Sequence, residues 1–327
     1  MFSKCETVLL FNTENNPDKT IEYITNIKSD FCVLINYKKK KSKLFISSLE
    51  KKPTNNKIDI KTLNKYEDVF KILEKEKIIG LNFSSISKKL FDFIKKKLKG
   101  ITLIDISQEI EKSRLIKKNN EIKKIQKAVE ITEKILSKTI KKISQFKYEI
   151  EVVKFIKKQI IEEDVEQSFE PIVASGINSS NPHYYPTKKS KLNKGFCIID
   201  MGVKFKNYCS DMTRTIFIGK PTKKDLEFYK EVYDEMKNIQ KNTKEGSKKI
   251  DIKFKMIHAL GHGIGLDVHE QPFVGNQELK KNMTIAIEPA KYDKNKGVRI
   301  EDNFIVQKNK IKRFGKLSQK LKIIKIK

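Results

Sequence analysis

FCIIDMGVKFKNYCSDMTRTIFIG, residues 196–219, consists of two β-rich segments on either side of a short polar turn. Isoleucine, phenylalanine and threonine favour strands, and two such runs separated by a few polar residues are typical of a β-hairpin. We expect residues 204–207 to form a four-residue loop, which would pair Val203 with Tyr208. The stretch therefore predicts an antiparallel hairpin.

Each strand of this hairpin carries one aspartate, Asp200 on the first and Asp211 on the second. Counting back from the expected loop sets the two directly opposite each other, where cross-strand Cβ atoms are about 4.5–5.5 Å apart. Two like charges at that distance destabilise a sheet unless a positive charge lies between them, and a divalent cation supplies one. Two exposed aspartates on a hairpin are the simpler alternative, which this segment alone leaves open.

A second hairpin of the same kind is predicted at residues 284–306, TIAIEPAKYDKNKGVRIEDNFIV. Glu288 and Glu301 lie at balanced distances from the polar turn DKNKG, so they too can face each other. Pro289 ends ladder hydrogen bonding just beyond Glu288, because proline has no N–H to donate. Each hairpin thus brings a pair of carboxylates to one end of a sheet.

The histidines are the third component of the predicted site. Three of the four lie between the hairpins, in HALGHGIGLDVHEQP: His258, His262 and His269. The fourth, His183, lies in the turn-rich SGINSSNPHYYPT. Glycines around His262 allow close approach of the backbone. One histidine alone is more often structural, but four carboxylates and one imidazole suit two divalent ions such as Mn²⁺ or Co²⁺, with Zn²⁺ as an alternative.

Length and composition bound the class of protein. The chain has 327 residues, 38% hydrophobic and 34% charged, which is a globular balance with room for two domains. No apolar run approaches the roughly 20 residues that span a bilayer, and the N-terminal apolar stretch is too short for a secretion signal. The four cysteines show no pairing pattern. We therefore expect a cytoplasmic protein with reduced thiols and no membrane partner.

The net charge of +29 invites a nucleic-acid interpretation, which the distribution of the charge does not favour. The excess is lysine spread along the chain, while arginine, the better reader of base edges, is rare. We do not expect a nucleic-acid partner on this basis.

The chain is predicted to have two domains with a boundary near residues 108–117. Residues 1–112 alternate strand-like segments such as FCVLINY and IIGLNFS with helical ones such as YEDVFKILEKEK, which predicts a small α/β domain. Residues 113–327 form the second domain. It begins with an amphipathic helix between Glu121 and Ile143, whose apolar residues form one stripe.

The second half of the chain resembles the pita-bread metallopeptidases, specifically their Xaa-Pro dipeptidase and Xaa-Pro aminopeptidase branch. Five motifs between residues 115 and 310 carry the resemblance: IVASGINSSNPHYYPT, IIDMGVKFKNYCSDMTRTIFIG, GHGIGLDVHE, IEP and GVRIED. The resemblance implies an α+β chain. Its small N-terminal α/β domain, like that of creatinase, would precede a pita-bread catalytic domain with a curved antiparallel sheet covered by helices.

The resemblance also implies a role for each candidate residue. The matches to the metal ligands are Asp200, Asp211, His262, Glu288 and Glu301. Glu288 also matches the residue that handles the proton of the attacking water. His183 and His269 match histidines that contact the substrate and stabilise the tetrahedral intermediate. Arg299 and His258 match supporting residues near the site.

The implied activity is hydrolysis of the bond between an N-terminal residue and a proline in second position. A hydroxide bridging two divalent metal ions, with Mn²⁺ expected first, would attack the bond. The implied assembly is a homodimer. Three alternatives stay open: a methionine aminopeptidase, a creatinase-like C–N hydrolase, and a catalytically silent pita-bread protein that binds a partner such as RNA.

One departure from the family pattern concerns the interval between Asp211 and His262. It is shorter than in the family by about one helix and its turn, because KEGSKKIDIKFKMIHALGHG runs almost directly from Gly246 to His258. We expect the metal site to assemble but the packing on the outer face of the sheet to be weakened.

Overall fold

The computed structural model describes residues 2–325, and the chain divides into two compact units, Met1–Ser113 and Arg114–Lys327. Each unit has its own hydrophobic core, formed by different residues. Among residues 2–325, no helix combines the length and apolar character that a membrane span requires.

The N-terminal unit is a mixed sheet with helices on both faces. Its elements are β1 (Thr7–Asn12), α1 (Thr20–Thr25), β2 (Cys32–Tyr37), β3 (Lys43–Ser47), β4 (Asp59–Leu63), α2 (Tyr66–Leu73), β5 (Ile78–Leu81), α3 (Lys88–Lys97), β6 (Thr102–Asp105) and α4 (Ser107–Leu115). The strand order is β4-β3-β2-β1-β5-β6. The β2–β3 pair is an antiparallel hairpin whose connecting turn contains four consecutive lysines, residues 38–41.

Alternation of side chains along β1 explains why this unit needs helices on both faces. Leu9 and Phe11 pack in the core that contains the buried residues of α2 and α3. Val8 and Leu10 point the other way and join the residues of α1 and α4. A strand buried on both sides is a continuous apolar run, which is what TVLLFN is.

The described part of the C-terminal unit is built from antiparallel hairpins and three long α-helices. Its helices are α5 (Asn119–Lys142), α6 (Glu149–Glu162) and α7 (Lys223–Asn242). Its strands are β7 (Glu166–Gln167), β8 (Ile172–Ser175), β9 (Gly195–Met201), β10 (Val203–Phe205), β11 (Tyr208–Cys209), β12 (Met212–Ile218), β13 (Gly261–Gly263), β14 (Thr284–Ile287), β15 (Ala290–Tyr292), β16 (Gly297–Arg299), β17 (Asp302–Val306), β18 (Ile311–Arg313) and β19 (Lys322–Ile324).

The described strands form four sheets that place the candidate residues. The orders are β19-β12-β9-β8, β13-β14-β17-β18, β11-β10-β7 and β15-β16. The described pairs are antiparallel except β12 with β19. The predicted amphipathic helix is confirmed as α5, whose Glu121 caps its own first turn by accepting the Lys118 N–H at 2.9 Å.

The shortened segment between α7 and β13 contains neither helix nor strand. Its residues Ile250, Ile252, Phe254 and Met256 are partly buried against the core that α7 covers, while the residues between them are exposed. An irregular segment with alternating apolar side chains thus lies where the family pattern has an amphipathic helix. The core is covered here by side chains that are partly rather than fully buried.

Candidate metal centre

The first hairpin turns more tightly than the sequence predicted. Phe205 pairs with Tyr208, so the loop has two residues, Lys206 and Asn207. Their φ angles are +46° and +66°, the combination that a type I′ turn requires and that suits the twist of the flanking strands. The predicted loop at residues 204–207 and the predicted Val203–Tyr208 pair are therefore wrong.

The tighter turn shifts the register of β9 and β12 by two residues and changes how the two aspartates meet. Asp200 pairs with Thr213, so the predicted direct pairing with Asp211 is also wrong. A shift of two keeps each side chain on its face, because the side-chain period of a strand is two. Asp211 therefore lies diagonally across from Asp200. Ligand oxygens of these two aspartates and Glu301 all lie within 4.8 Å of one another.

The second hairpin has the predicted register. Ile287 pairs with Asp302 and Ala290 with Arg299, which sets Glu288 across from Glu301 in the gap between the two ladders. The Glu288 N–H donates to an acceptor outside the hairpin, the Leu260 carbonyl, at 2.9 Å. This contact ties the segment carrying Glu288 to the segment that leads into His262.

His262 lies at the centre of β13, where two glycines permit the close packing that the sequence indicated. A Cβ at residue 261 would lie 2.1 Å from the Ala286 carbonyl oxygen, and one at residue 263 would lie 2.2 Å from the Gln271 oxygen. The imidazole Nε2 is 3.7 Å from Asp211 Oδ2, 3.8 Å from Glu301 Oε1 and 3.9 Å from Glu288 Oε1. Three carboxylates thus converge on one nitrogen.

Three of the carboxylates each have an oxygen without a hydrogen-bond partner among the described residues: Asp200 Oδ1, Asp211 Oδ1 and Glu301 Oε1. Burial raises the pKa of Asp211 well above its usual range, and the charges of Glu301 and Asp200 add to the effect. Burial and the charge of Glu288 do the same to the pKa of Glu301. Buried anionic oxygens without donors are costly unless a cation neutralises them. These residues therefore fit divalent metal ions.

Glu288 lies between two imidazoles. Its Oε2 is 3.7 Å from His258 Nδ1, and its Oε1 faces His262. Burial raises the pKa of Glu288 to about 7, with Asp200 contributing and Arg299 opposing. Burial lowers the pKa of His262 to about 4, so this ring is neutral and able to ligate a metal near neutral pH.

Arg299 supplies a buried positive charge at the edge of the carboxylate cluster. Its guanidinium donates from Nη2 to Asp200 Oδ2 at 2.7 Å, from Nη1 to the Tyr292 hydroxyl at 2.8 Å and from Nε to the Thr213 hydroxyl at 3.2 Å. Burial opposes the charged form, but Asp200 outweighs it and raises the pKa of Arg299. Arg299 therefore holds the Asp200 carboxylate through Oδ2, while Oδ1 is the oxygen without a partner among the described residues.

The sequence did not identify two of these contacts, Tyr292 and Thr213. Thr213 donates its hydroxyl to Glu301 Oε2 at 2.9 Å, which orients that carboxylate. The Tyr292 hydroxyl lies 3.5 Å from His258 Nε2 as well as beside Arg299. Counting by twos from Glu288 leads to Tyr292, so strand periodicity offered a signal for it.

A cavity of about 360 Å³ opens over the cluster, and every predicted site residue lines it. Its walls include His183, His258 and His269 beside the five candidate ligands. The His269 ring is 4.3 Å from that of His262, edge to face. A ligand nitrogen of His269 also lies within 4.8 Å of ligand atoms of Asp211 and His262. The rest of the wall is mainly apolar: Phe169, Ile172, Pro182, Tyr185, Val268 and Phe273.

Comparison with protein families agrees with this geometry. Residues 123–308 match the model of metallopeptidase family M24. The chain belongs to this family. Residues 3–116 of the M24 chain match the Creatinase/Prolidase N-terminal domain, which agrees with the predicted α/β domain.

Individual relatives cover most of the M24 chain. It is 34% identical to an Xaa-Pro dipeptidase from Pyrococcus horikoshii over 81% of this chain and 80% of the relative. The prolidase structure from the same organism matches with a TM-score of 0.85 at 30% identity, over 97% of this chain and 95% of that one. An X-Pro aminopeptidase structure from Thermotoga maritima matches with a TM-score of 0.88 at 25% identity, over 98% of each chain.

Proposed function

We propose that the M24 chain is a two-metal Xaa-Pro peptidase, which removes an N-terminal residue that precedes proline. One observation carries the proposal: four carboxylates and one imidazole converge in one cavity, and three buried carboxylate oxygens there have no donor among the described residues. The relatives named Xaa-Pro dipeptidase, prolidase and X-Pro aminopeptidase support the choice of substrate.

The residues that would hold the ions are those with converging ligand atoms: Asp200, Asp211, His262, Glu288 and Glu301. When bound, two divalent ions supply Lewis acidity, which lowers the pKa of water and polarises the carbonyl of the scissile bond. Oxygen-rich ligands with one imidazole suit manganese, which is our proposed metal. A homodimer and a cytoplasmic location complete the proposal and rest on the family resemblance and the composition.

The side chains around the ions have separate tasks. Glu288 turns Oε1 toward His262 and Oε2 toward His258 Nδ1, so one oxygen can ligate an ion while the other takes up the proton of the attacking water. We assign it the transfer of that proton to the leaving proline nitrogen. His269 and His183 line the cavity and are assigned to donate N–H groups to the oxyanion that develops on the carbonyl. Arg299 holds Asp200 in place.

The lining of the cavity supports proline as the preferred second residue. The bond before proline is a tertiary amide without an N–H, so a site for it needs no acceptor for that group. The wall instead presents apolar side chains such as Phe169, Pro182 and Phe273. Burying an apolar ring there gains about 25 cal/mol per Å² removed from water.

The test is hydrolysis by the purified, chelator-stripped protein with Mn²⁺, Co²⁺ or Zn²⁺ added back. We expect two ions per chain and cleavage of Xaa-Pro and Xaa-Pro-Yaa peptides, with no cleavage of matched Xaa-Ala peptides. Comparing the dipeptide with the tripeptide distinguishes dipeptidase from aminopeptidase. Cleavage of Met-Ala in preference to Met-Pro would indicate a methionine aminopeptidase instead. Salt-sensitive RNA binding without metal uptake would indicate a binding protein.

A further inference from the structure

An ion cluster that contains a fully buried lysine adjoins His269 along the chain, outside the carboxylate centre. Glu270 accepts from Lys117 Nζ at 2.6 Å through Oε1 and from Arg114 Nη2 at 2.5 Å through Oε2. The same Arg114 nitrogen contacts Asp267 Oδ2 at 2.6 Å. The Lys117 side chain is 1% exposed, an unusual position for an ammonium group. The sequence assigned none of these four residues a role.

The cluster fixes the backbone on both sides of His269. Asp267 is held through its side chain, and Glu270 is held through both side chain and main chain. The Glu270 N–H donates to the Gly263 carbonyl at 3.1 Å, and the Gly263 N–H donates to the Glu270 carbonyl at 2.9 Å. Gly263 directly follows His262, and Glu270 directly follows His269. These two backbone hydrogen bonds therefore connect the segments that carry the two histidines.

A glycine makes room for the Glu270 carboxylate. A Cβ at residue 265 would lie 2.4 Å from Glu270 Oε1. The Gly265 N–H also donates to the Asp267 carbonyl at 3.0 Å, which closes the loop that leads to His269. The chain thus packs the carboxylate against its own backbone, where side-chain movement is restricted.

The His269 imidazole itself forms no hydrogen bond with the residues that the structure describes, although its ring packs against that of His262. Its position therefore depends on the backbone between Asp267 and Glu270. A histidine that is to donate to a developing oxyanion must be held to within a fraction of an ångström.

We propose that Glu270, clamped by Lys117 and Arg114, is a positioning residue that fixes His269 beside the metal centre. The part of this inference that concerns turnover rests on the proposed peptidase function. The part that concerns geometry does not. Burying an ion pair costs desolvation free energy, which the attraction between the two charges often only offsets. Such a pair is therefore weak evidence for a role in stability. Removing Glu270 alone leaves the buried Lys117 ammonium without its partner and should destabilise the fold, so a variant that removes both charges is needed to separate positioning from stability.

The geometric part is tested on the metal-free protein by NMR of histidine rings labelled at Cε1. The chain has four histidines, so His→Ala variants assign every ring signal. We expect Glu270→Gln to shift and broaden the His269 signal while the His183 signal stays unchanged. The double variant Lys117→Met/Glu270→Gln removes both charges together and serves if the single variant folds poorly. An unchanged His269 signal in the folded variants would overturn the proposal.

The kinetic part compares two backgrounds. We expect Glu270→Gln to lower kcat about tenfold in the otherwise unsubstituted enzyme with KM nearly constant, as for other residues that orient a group at a metal site. In the His269→Ala background the same substitution should change kcat less than about twofold, because coupled residues are not additive. Equal losses in both backgrounds would mean that Glu270 acts elsewhere.

The matched control is Lys134→Met. Lys134 pairs with Glu163 at 2.7 Å, and neither residue lines the cavity. It should leave the ring signals, kcat and metal content unchanged. If the unsubstituted enzyme hydrolyses no Xaa-Pro peptide, the proposed function fails, but the ring-signal experiment still decides whether Glu270 positions His269.

Discussion

Glu288 lies directly across the second hairpin from Glu301, and both carboxylates face the same nitrogen, His262 Nε2, at 3.9 Å and 3.8 Å. Neither residue belongs to a strand, because each lies in the gap between two ladders. The gap frees both from ladder pairing, so their carboxylates can converge on the imidazole from β13. This relationship is the basis of the metal centre.

Asp211→Asn should remove one ion. The substitution keeps the shape of the side chain but removes a charge from a cluster whose three other carboxylates are retained. We expect metal content to fall from two ions per chain to one, and Xaa-Pro hydrolysis to fall by more than about a hundredfold. The measurements are elemental analysis and a peptide assay. Asp234→Asn, at an exposed residue of α7, is the control. Full activity with two ions bound would contradict the two-metal proposal.

Glu288→Gln should stabilise the metal-free protein at high pH. The folded-state pKa of Glu288, about 7, exceeds its ordinary value of 4.5. The folded state therefore retains a proton that the unfolded state loses, and stability falls as pH rises from about 4.5 to about 7. At about 1.4 kcal/mol per pKa unit, the penalty reaches about 3 kcal/mol above pH 7. Glutamine removes it.

This pH dependence is measured by urea unfolding of both proteins in chelator at pH 5 and pH 8. The titration of His262, whose pKa is lowered to about 4, has the opposite sign but is common to both proteins. It therefore cancels to first order in their difference. A difference in the free energy of unfolding that does not grow between pH 5 and pH 8 would show that burial does not perturb Glu288 as described.

His269→Ala should separate catalysis from metal binding. If His269 donates to the oxyanion, kcat should fall by about a hundredfold to a thousandfold while two ions stay bound. Its nitrogen also lies near those of Asp211 and His262, so loss of one ion is the informative contrary result. That outcome would make His269 a ligand rather than a hydrogen-bond donor to substrate. Metal content and kcat are measured on the same preparation.

Ile252→Asn should destabilise the fold, because Ile252 is partly buried in the irregular segment that lies where the family pattern has a helix. We expect a loss of about 1–2 kcal/mol, the magnitude for exposing a partly buried aliphatic side chain. Lys253→Asn, at the exposed neighbour, should change little. Thermal unfolding of both variants provides the measurement. Equal effects would show that the alternation along this segment does not reflect packing.

The two hairpins show where sequence periodicity is sufficient and where it is not. The register of the second hairpin follows from its polar turn and was predicted. In the first hairpin, the register depends on whether Lys206 accepts a positive φ, which lysine rarely does. Asn207 was the available signal for a tight turn, and the prediction of a four-residue loop did not take it into account. Because the resulting error was two residues, both aspartates stayed on the correct face.

By itself, the sequence determined the elements that local patterns control: the β-rich hairpins, the amphipathic α5, and the carboxylates and histidines suited to divalent ions. Tertiary structure alone decided that Arg299 donates to both Asp200 and Tyr292. It also decided that Asp200 and Asp211 lie diagonally across the first hairpin, and that Lys117 and Arg114 both pair with Glu270. Arg114 and Asp267 are 153 residues apart. Such contacts depend on how whole sheets and helices pack, and a pattern that repeats every two or four residues carries no information about a partner at that distance.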